Sequence, residues 1–325
     1  DSAAEVVAYA GNVAAATART LLSTVDADTV AASFDVVTEI AAMVVTANAV
    51  AAVAGQTVAL TVNADTVTGG AGDDTINAAL ASSVMTFSSL DSLDGGAGTD
   101  TLSINVNAAN TYQAGSISNI ENVIVSMTAA GTLNLLGTTG VSDVKVNATT
   151  AATIVNNINE GATYSVTNTG VQDVTFGAAS GAYAGAADSA TLNLVSIAHT
   201  DAGNKTIATP AKIETLNVNA SGSNVVDTLN SGTATTLNVS GTGSLTLFEV
   251  TDAQVVTVDA SSLAGAFVME GGTGVTTITG GAGNDTIDVV ATAQTSTIVT
   301  GAGDDTVKFN ATGTLTTADT VTGGA

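Results

Sequence analysis

Aspartate recurs in this chain at the sixth place of a nine-residue pattern, Gly-Gly-x-Gly-x-Asp-x-(apolar)-x. Complete copies run Gly69-Gly70-Ala71-Gly72-Asp73-Asp74-Thr75-Ile76-Asn77, Gly95-Gly96-Ala97-Gly98-Thr99-Asp100-Thr101-Leu102-Ser103 and Gly280-Gly281-Ala282-Gly283-Asn284-Asp285-Thr286-Ile287-Asp288. A near copy runs Thr300-Gly301-Ala302-Gly303-Asp304-Asp305-Thr306-Val307-Lys308, and another begins at Asp319-Thr320-Val321-Thr322-Gly323-Gly324. Such residues could bind a hard cation. Glycines permit tight turns with positive φ and let backbone carbonyls approach one point, while the aspartate adds anionic oxygen. Carbonyls and carboxylates together suit Ca²⁺, which takes about 6–8 oxygens at roughly 2.3–2.6 Å; Mg²⁺ demands stricter octahedral geometry and keeps its waters. The candidate ligands are Gly70, Gly72, Asp73, Asp74, Gly96, Gly98, Asp100, Gly281, Gly283, Asp285, Gly301, Gly303, Asp304, Asp305 and Asp319.

The pattern extends backwards, which adds two further candidates. Asp65 precedes Asp74 by nine residues and Asp91 precedes Asp100 by nine, so each pair reads as two successive turns, the first degraded. In a two-sided roll, turns nine apart lie on opposite edges, so a site needs loops one full coil apart. Asp285 and Asp305 are twenty apart, which suits stacking on one edge. Asp65 to Asp91 and Asp74 to Asp100 are both twenty-six, as if one coil carried an insertion near residues 78–88. At 271–279 the copy has Thr276 in place of the carboxylate, so that turn is expected to keep its shape and lose the metal. These loops lead into β-formers, and no Gly-x-x-x-x-Gly-Lys-Ser/Thr phosphate loop occurs.

Short strands must hold these turns. Thr215-Leu216-Asn217-Val218, Thr236-Leu237-Asn238-Val239, Thr257-Val258-Asp259, Thr277-Ile278-Thr279 and Thr297-Ile298-Val299 begin 21, 21, 20 and 20 residues apart. Partners such as Leu245–Leu247, Phe267–Met269 and Thr286–Asp288 lie between them, giving two strands per coil. Leu133–Leu135, Val144–Val146, Thr153–Val155, Tyr164–Val166 and Val174–Phe176 keep the same beat. The expected fold is mainly β: a parallel β-roll or β-solenoid over 56–325 with Gly-Asp loops near 63–103 and 271–325. Its inner stripe is continuous and its ends need capping. Residues 1–55 differ. They are Ala-rich and helical in period, with a Ser2/Glu5 capping box and Phe34, Val37, Ala41 and Val44 on one face. Such a segment reads either as a cap on the solenoid or as part of an anchoring domain.

Composition excludes several functions. Five basic residues against twenty-nine acidic give −24 and a pI near 4.1. Clustered carboxylates resist compaction until cations neutralise them, which couples folding to Ca²⁺. Nucleic acid is an unsuitable partner, because phosphate binding needs basic contacts. There is no cysteine, hence no disulfide framework. The apolar stretch 40–62 has a best core of about fifteen residues, short of the roughly twenty that span a membrane. The single histidine, His199, allows neither a His-Glu-x-x-His zinc site nor a catalytic triad with a spare ligand. In its Thr/Asp/Ala loop it reads as a surface residue, and no enzymatic activity is expected. A chain that opens on Asp1 and stops inside a repeat at Ala325 reads as a segment of a longer protein.

The nonapeptides resemble those of the repeats-in-toxin (RTX) calcium-binding family. The lead-in Gln56–Thr61 to Asp65-Thr66-Val67-Thr68-Gly69, with Ile117-Ser118-Asn119-Ile120-Glu121-Asn122-Val123 and Ile213-Glu214-Thr215-Leu216-Asn217-Val218, is similar to bacterial surface-layer (S-layer) proteins of that family. The resemblance implies type I export through a C-terminal signal, folding outside the cell in calcium, and assembly with copies of itself on a lipopolysaccharide-covered surface. Rolls of this kind also trail secreted hydrolases or stiffen adhesins, which are the alternative readings.

Overall fold

A computed structural model describes residues 55–81, 84–168, 170, 172–199, 205–250, 255–270, 274–289, 295–309 and 315–324. The expected helical segment, the greater part of 40–62 and Gly271–Thr273 lie outside these residues. Among the described residues no helix is long and apolar enough to cross a membrane.

The alternating strands stack as a parallel β-solenoid whose inner stripe is Leu, Val and Ile with a few aromatic residues. Among the described residues thirteen strands stack into one long sheet, from Thr57–Ala59 through Thr75–Ala78, Thr101–Val106, Asn122–Met127 and onward to Thr297–Val299 and Thr320–Thr322. A second sheet of ten strands runs from Thr111–Tyr112 to Thr306–Phe309, and a short third sheet comprises Thr66–Thr68, Ser92–Asp94 and Ser116–Ser118. The beat read from sequence is the pairing register: Thr215 faces Thr236, then Thr257, Thr277 and Thr297, all in parallel.

Alternation along each strand sends every second residue inward. Leu216, Leu237, Val258 and Ile298 form one such column, each fully buried, and Ile76, Leu102, Val123 and Val144 begin a second, which runs on through Tyr164 and Leu192 to Val218. Leu245, Leu247, Phe267, Met269 and Ile287 fill the core from the second sheet. Each such side chain contributes about 1.5–3 kcal/mol on burial. Small rungs thus hold together without a thick globular interior.

The first described coil takes eighteen residues, from Thr57 to Thr75, with Thr66–Thr68 between them. The next takes twenty-six, from Thr75 to Thr101. The excess contains an antiparallel hairpin pairing Leu80–Ala81 with Val84–Met85, inside the stretch 78–88 where an insertion was expected.

Candidate metal centre

Each position-six aspartate ends its turn one residue before a strand, so parallel stacking brings it over the equivalent residue of the next rung. The Asp74 N–H donates to Asp100 Oδ1 at 2.7 Å, and the Asp285 N–H donates to Asp305 Oδ1 at 2.9 Å. The degraded turns stack alike: the Asp65 N–H donates to Asp91 Oδ1 at 3.0 Å. Three acidic pairs expected from spacing are therefore joined.

The carboxylates also close their own turns. Asp74 accepts the Gly70 N–H on Oδ2 at 2.6 Å and the Gln56 N–H of the preceding rung on Oδ1 at 2.5 Å. Asp285 does the same with Gly281 and Phe267, both at 2.7 Å. Asp319 binds the Ser296 N–H at 2.7 Å and the Thr316 N–H, which hold its carboxyl below the usual range. Charge-assisted bonds to backbone N–H groups are among the stronger hydrogen bonds. Even without a cation these aspartates fasten one coil to the next.

The glycines have two separate roles. Gly96, Gly98, Gly301 and Gly303 adopt positive φ (93°, 139°, 89° and 126°), as the sequence suggests, but Gly70, Gly72, Gly281 and Gly283 do not. At Gly281 and Gly283 close approach is what requires glycine: a Cβ on Gly281 would meet the Leu263 carbonyl oxygen, and one on Gly283 the Ala266 nitrogen. The Gly70 and Gly281 carbonyls accept the Ala97 and Ala302 N–H groups at 2.9 and 3.0 Å.

A common feature recurs at position one of the complete copies. A Cβ on Gly69 would fall onto Asp74 Oδ2 and the Gly95 carbonyl oxygen, and one on Gly280 onto Asp285 Oδ2 and the Thr300 carbonyl oxygen. A carboxylate oxygen and a carbonyl oxygen of the neighbouring rung thus converge at each turn. Asp73 and Asp304 sit outside this convergence and are exposed; Asp73 accepts the Thr99 N–H at 2.8 Å, and the Asp304 N–H donates to Asn284 at 3.0 Å.

Asp74, Asp91, Asp100 and Asp285 are buried, with at most 2% of their surface exposed. Burial pushes the Asp100 carboxyl up, against the lowering bond from Asp74 N–H, and Asp74, Glu121 and Asp73 raise it further. Asp285 is also raised by burial; the Phe267 and Gly281 N–H groups oppose this, and Asp305 adds to it. Asp100 Oδ2 is buried with no hydrogen-bond partner. A buried carboxylate oxygen without a donor, among all-oxygen groups, fits a hard divalent cation. Among the described residues no group of three or more His, Cys, Asp or Glu side chains could hold a metal. Any ion here would therefore need backbone carbonyls alongside its carboxylates.

Two residues beside the site carry no nonapeptide signal. Glu121 Oε2 accepts the Asp100 N–H at 2.8 Å, and Gln56 supplies its N–H to Asp74. The Ile-Glu step was the available clue: Ile213-Glu214 repeats the device, with Glu214 accepting the Asp188 N–H at 2.7 Å.

His199 is not the surface residue its loop suggests. It is 3% exposed; an isolated bridge between Ala198 and Val225 draws the segment onto the second sheet. Its Nδ1 lies 3.5 Å from the Asp227 N–H. Burial lowers its pKa, against Asp227, Asp173 and the Gln172 backbone.

Residues 62–80, 90–103 and 270–288 match the family described as RTX calcium-binding nonapeptide repeat, in four copies. No curated protein matches the chain. The chain thus carries RTX calcium-binding repeats set into a mainly parallel β-solenoid, in two groups separated along the stack.

Proposed function

We propose that this chain is a calcium-dependent structural subunit of the bacterial exterior that assembles with copies of itself into a surface layer or filament. The observation that carries the reading is the stacking of position-six carboxylates across rungs, Asp74 on Asp100 and Asp285 on Asp305, at two ends of one continuous ladder. Calcium would be held by these carboxylates with loop carbonyls, and would neutralise acids that otherwise repel. A formal charge of −24 opposes compaction, and that neutralisation would relieve it.

The wider likeness of Ile117–Val123 and Ile213–Val218 to S-layer proteins supports a surface-layer role, with secretion and attachment to lipopolysaccharide through flanking regions. The single histidine, drawn into the β-stack, supports a non-enzymatic role. Size and far-ultraviolet dichroism followed through a calcium titration with EDTA reversal test the proposal. Calcium should raise β-content and then produce large assemblies, both reversed by EDTA. Folding to monomers alone would mark a calcium-stiffened spacer instead, and oligomers indifferent to EDTA would refute the calcium role.

A further inference from the structure

We propose that the N-terminal row of cation sites extends one rung beyond its last nonapeptide, onto the glycine-free turn 119–121 that follows the strand Ser116–Ser118, where Asn119 and Glu121 complete a calcium site with Asp100. This deepens the reading of the nonapeptides as calcium sites and rests on it.

The geometry repeats that of the complete repeats. A Cβ on Gly95 would fall onto Asp100 Oδ2 and onto the Asn119 carbonyl oxygen, as one on Gly69 would meet Asp74 Oδ2 and the Gly95 carbonyl. Asn119 therefore holds the place of a position-one residue, with φ of 50° in the left-handed region that asparagine tolerates. Glu121 holds the place of the position-six aspartate: it receives the Asp100 N–H just as Asp100 receives that of Asp74. Ile120 is fully buried between them and fixes the turn.

An independent observation points to a ligand. In the Asp74 and Asp285 turns, Oδ2 is taken by the N–H of Gly70 or Gly281. In the Asp100 turn the corresponding Gly96 N–H turns instead to Asp94 Oδ1, at 3.1 Å, and Asp94 also accepts Asn119 Nδ2 at 2.8 Å. Asp100 Oδ2 is left buried and without a donor, its residue only 1% exposed. Asp74, Glu121 and Asp73 all add negative potential there. An anionic oxygen in that position needs a positive partner. A hard divalent cation is the chemistry that matches.

Calorimetric titration of calcium into the EDTA-stripped full chain tests this, with Glu121→Gln, Asp100→Asn and Asp285→Asn compared with wild type. Gln retains an acceptor for the Asp100 N–H and removes only charge. Glu121→Gln should weaken one class of site by about tenfold, since affinity in such sites follows ligand charge. It should act on the class that Asp100→Asn removes, and leave that reduced by Asp285→Asn unchanged. In EDTA its far-ultraviolet dichroism should match wild type. Calcium uptake that responds to Asp285→Asn, with a Glu121→Gln isotherm superimposable on wild type, would overturn this site alone. A wild-type chain that takes up no calcium would overturn the parent reading as well.

Discussion

The two groups of nonapeptides and the rungs between them solve the same problem with different chemistry. In the terminal groups, successive coils are fastened by carboxylates that bind backbone N–H groups across rungs, as Asp285 binds Phe267 and Gly281. In the middle, such bonds persist at Asp173, Glu214 and Asp227, but neutral ladders are added to them. Asn157 Nδ2 donates to Asn134 Oδ1 at 2.7 Å, and Asn134 Nδ2 donates to Gln113 Oε1 at 2.8 Å. The Tyr164 and Tyr183 hydroxyls meet at 2.9 Å inside the core, with the Phe176 ring tilted against Tyr164. The middle carries the longest strands, Ser223–Asn230 among them, whereas Thr277–Thr279 and Thr297–Val299 have three residues each. Where strands are long, apolar burial holds the rungs. Where they are short, charge takes over and brings a need for cations.

The largest effect on this contrast should come from the middle core. Leu237→Ala removes a fully buried side chain from the inner column and should cost about 2–5 kcal/mol. The loss should be the same in calcium and in EDTA, read by denaturant unfolding. Asp285→Ala should cost about 1–3 kcal/mol in EDTA by leaving the Phe267 and Gly281 N–H groups without their acceptor. Here calcium should widen the gap from wild type. A calcium-independent loss at Asp285 would erase the distinction between the regions.

Much of this division was legible in sequence. Glycine and aspartate at fixed offsets mark the metal-binding turns, and the twenty-six-residue interval marks an insertion near 78–88, though not that a hairpin fills it. The Asn119–Glu121 turn was hidden because it reproduces the geometry with other residue types: asparagine supplies the left-handed corner and glutamate reaches one carbon further. His199 misled because polar neighbours in the chain suggest solvent, while burial in a solenoid is decided by rungs above and below. Its contact at Asp227 is twenty-eight residues away.

A smaller effect belongs to the neutral ladder. Asn134→Ala breaks the bonds to Gln113 and Asn157 and should cost about 0.5–1.5 kcal/mol, again independent of calcium, in the same unfolding assay. The smallest is the response to pH. Asp100 and Asp285 have carboxyls raised above the ordinary value, so the folded metal-free chain binds protons more readily than the unfolded one. Their destabilisation is complete well above the raised values. It is relieved as pH falls from neutrality toward about 4, the unfolded value. In EDTA the melting temperature should therefore rise between pH 7 and about pH 5, while the shift produced by calcium shrinks as protons compete. A melting temperature in EDTA that falls over that range would contradict the buried-acid account.

Amide hydrogen exchange of the full chain, with calcium and with EDTA, tests the central contrast most directly. Calcium should slow exchange at the turns and strands of 56–106 and 277–309, and leave Ser223–Asn230 and Thr236–Gly241 nearly unchanged. Equal slowing along the whole ladder, or none at the nonapeptides, would contradict the account.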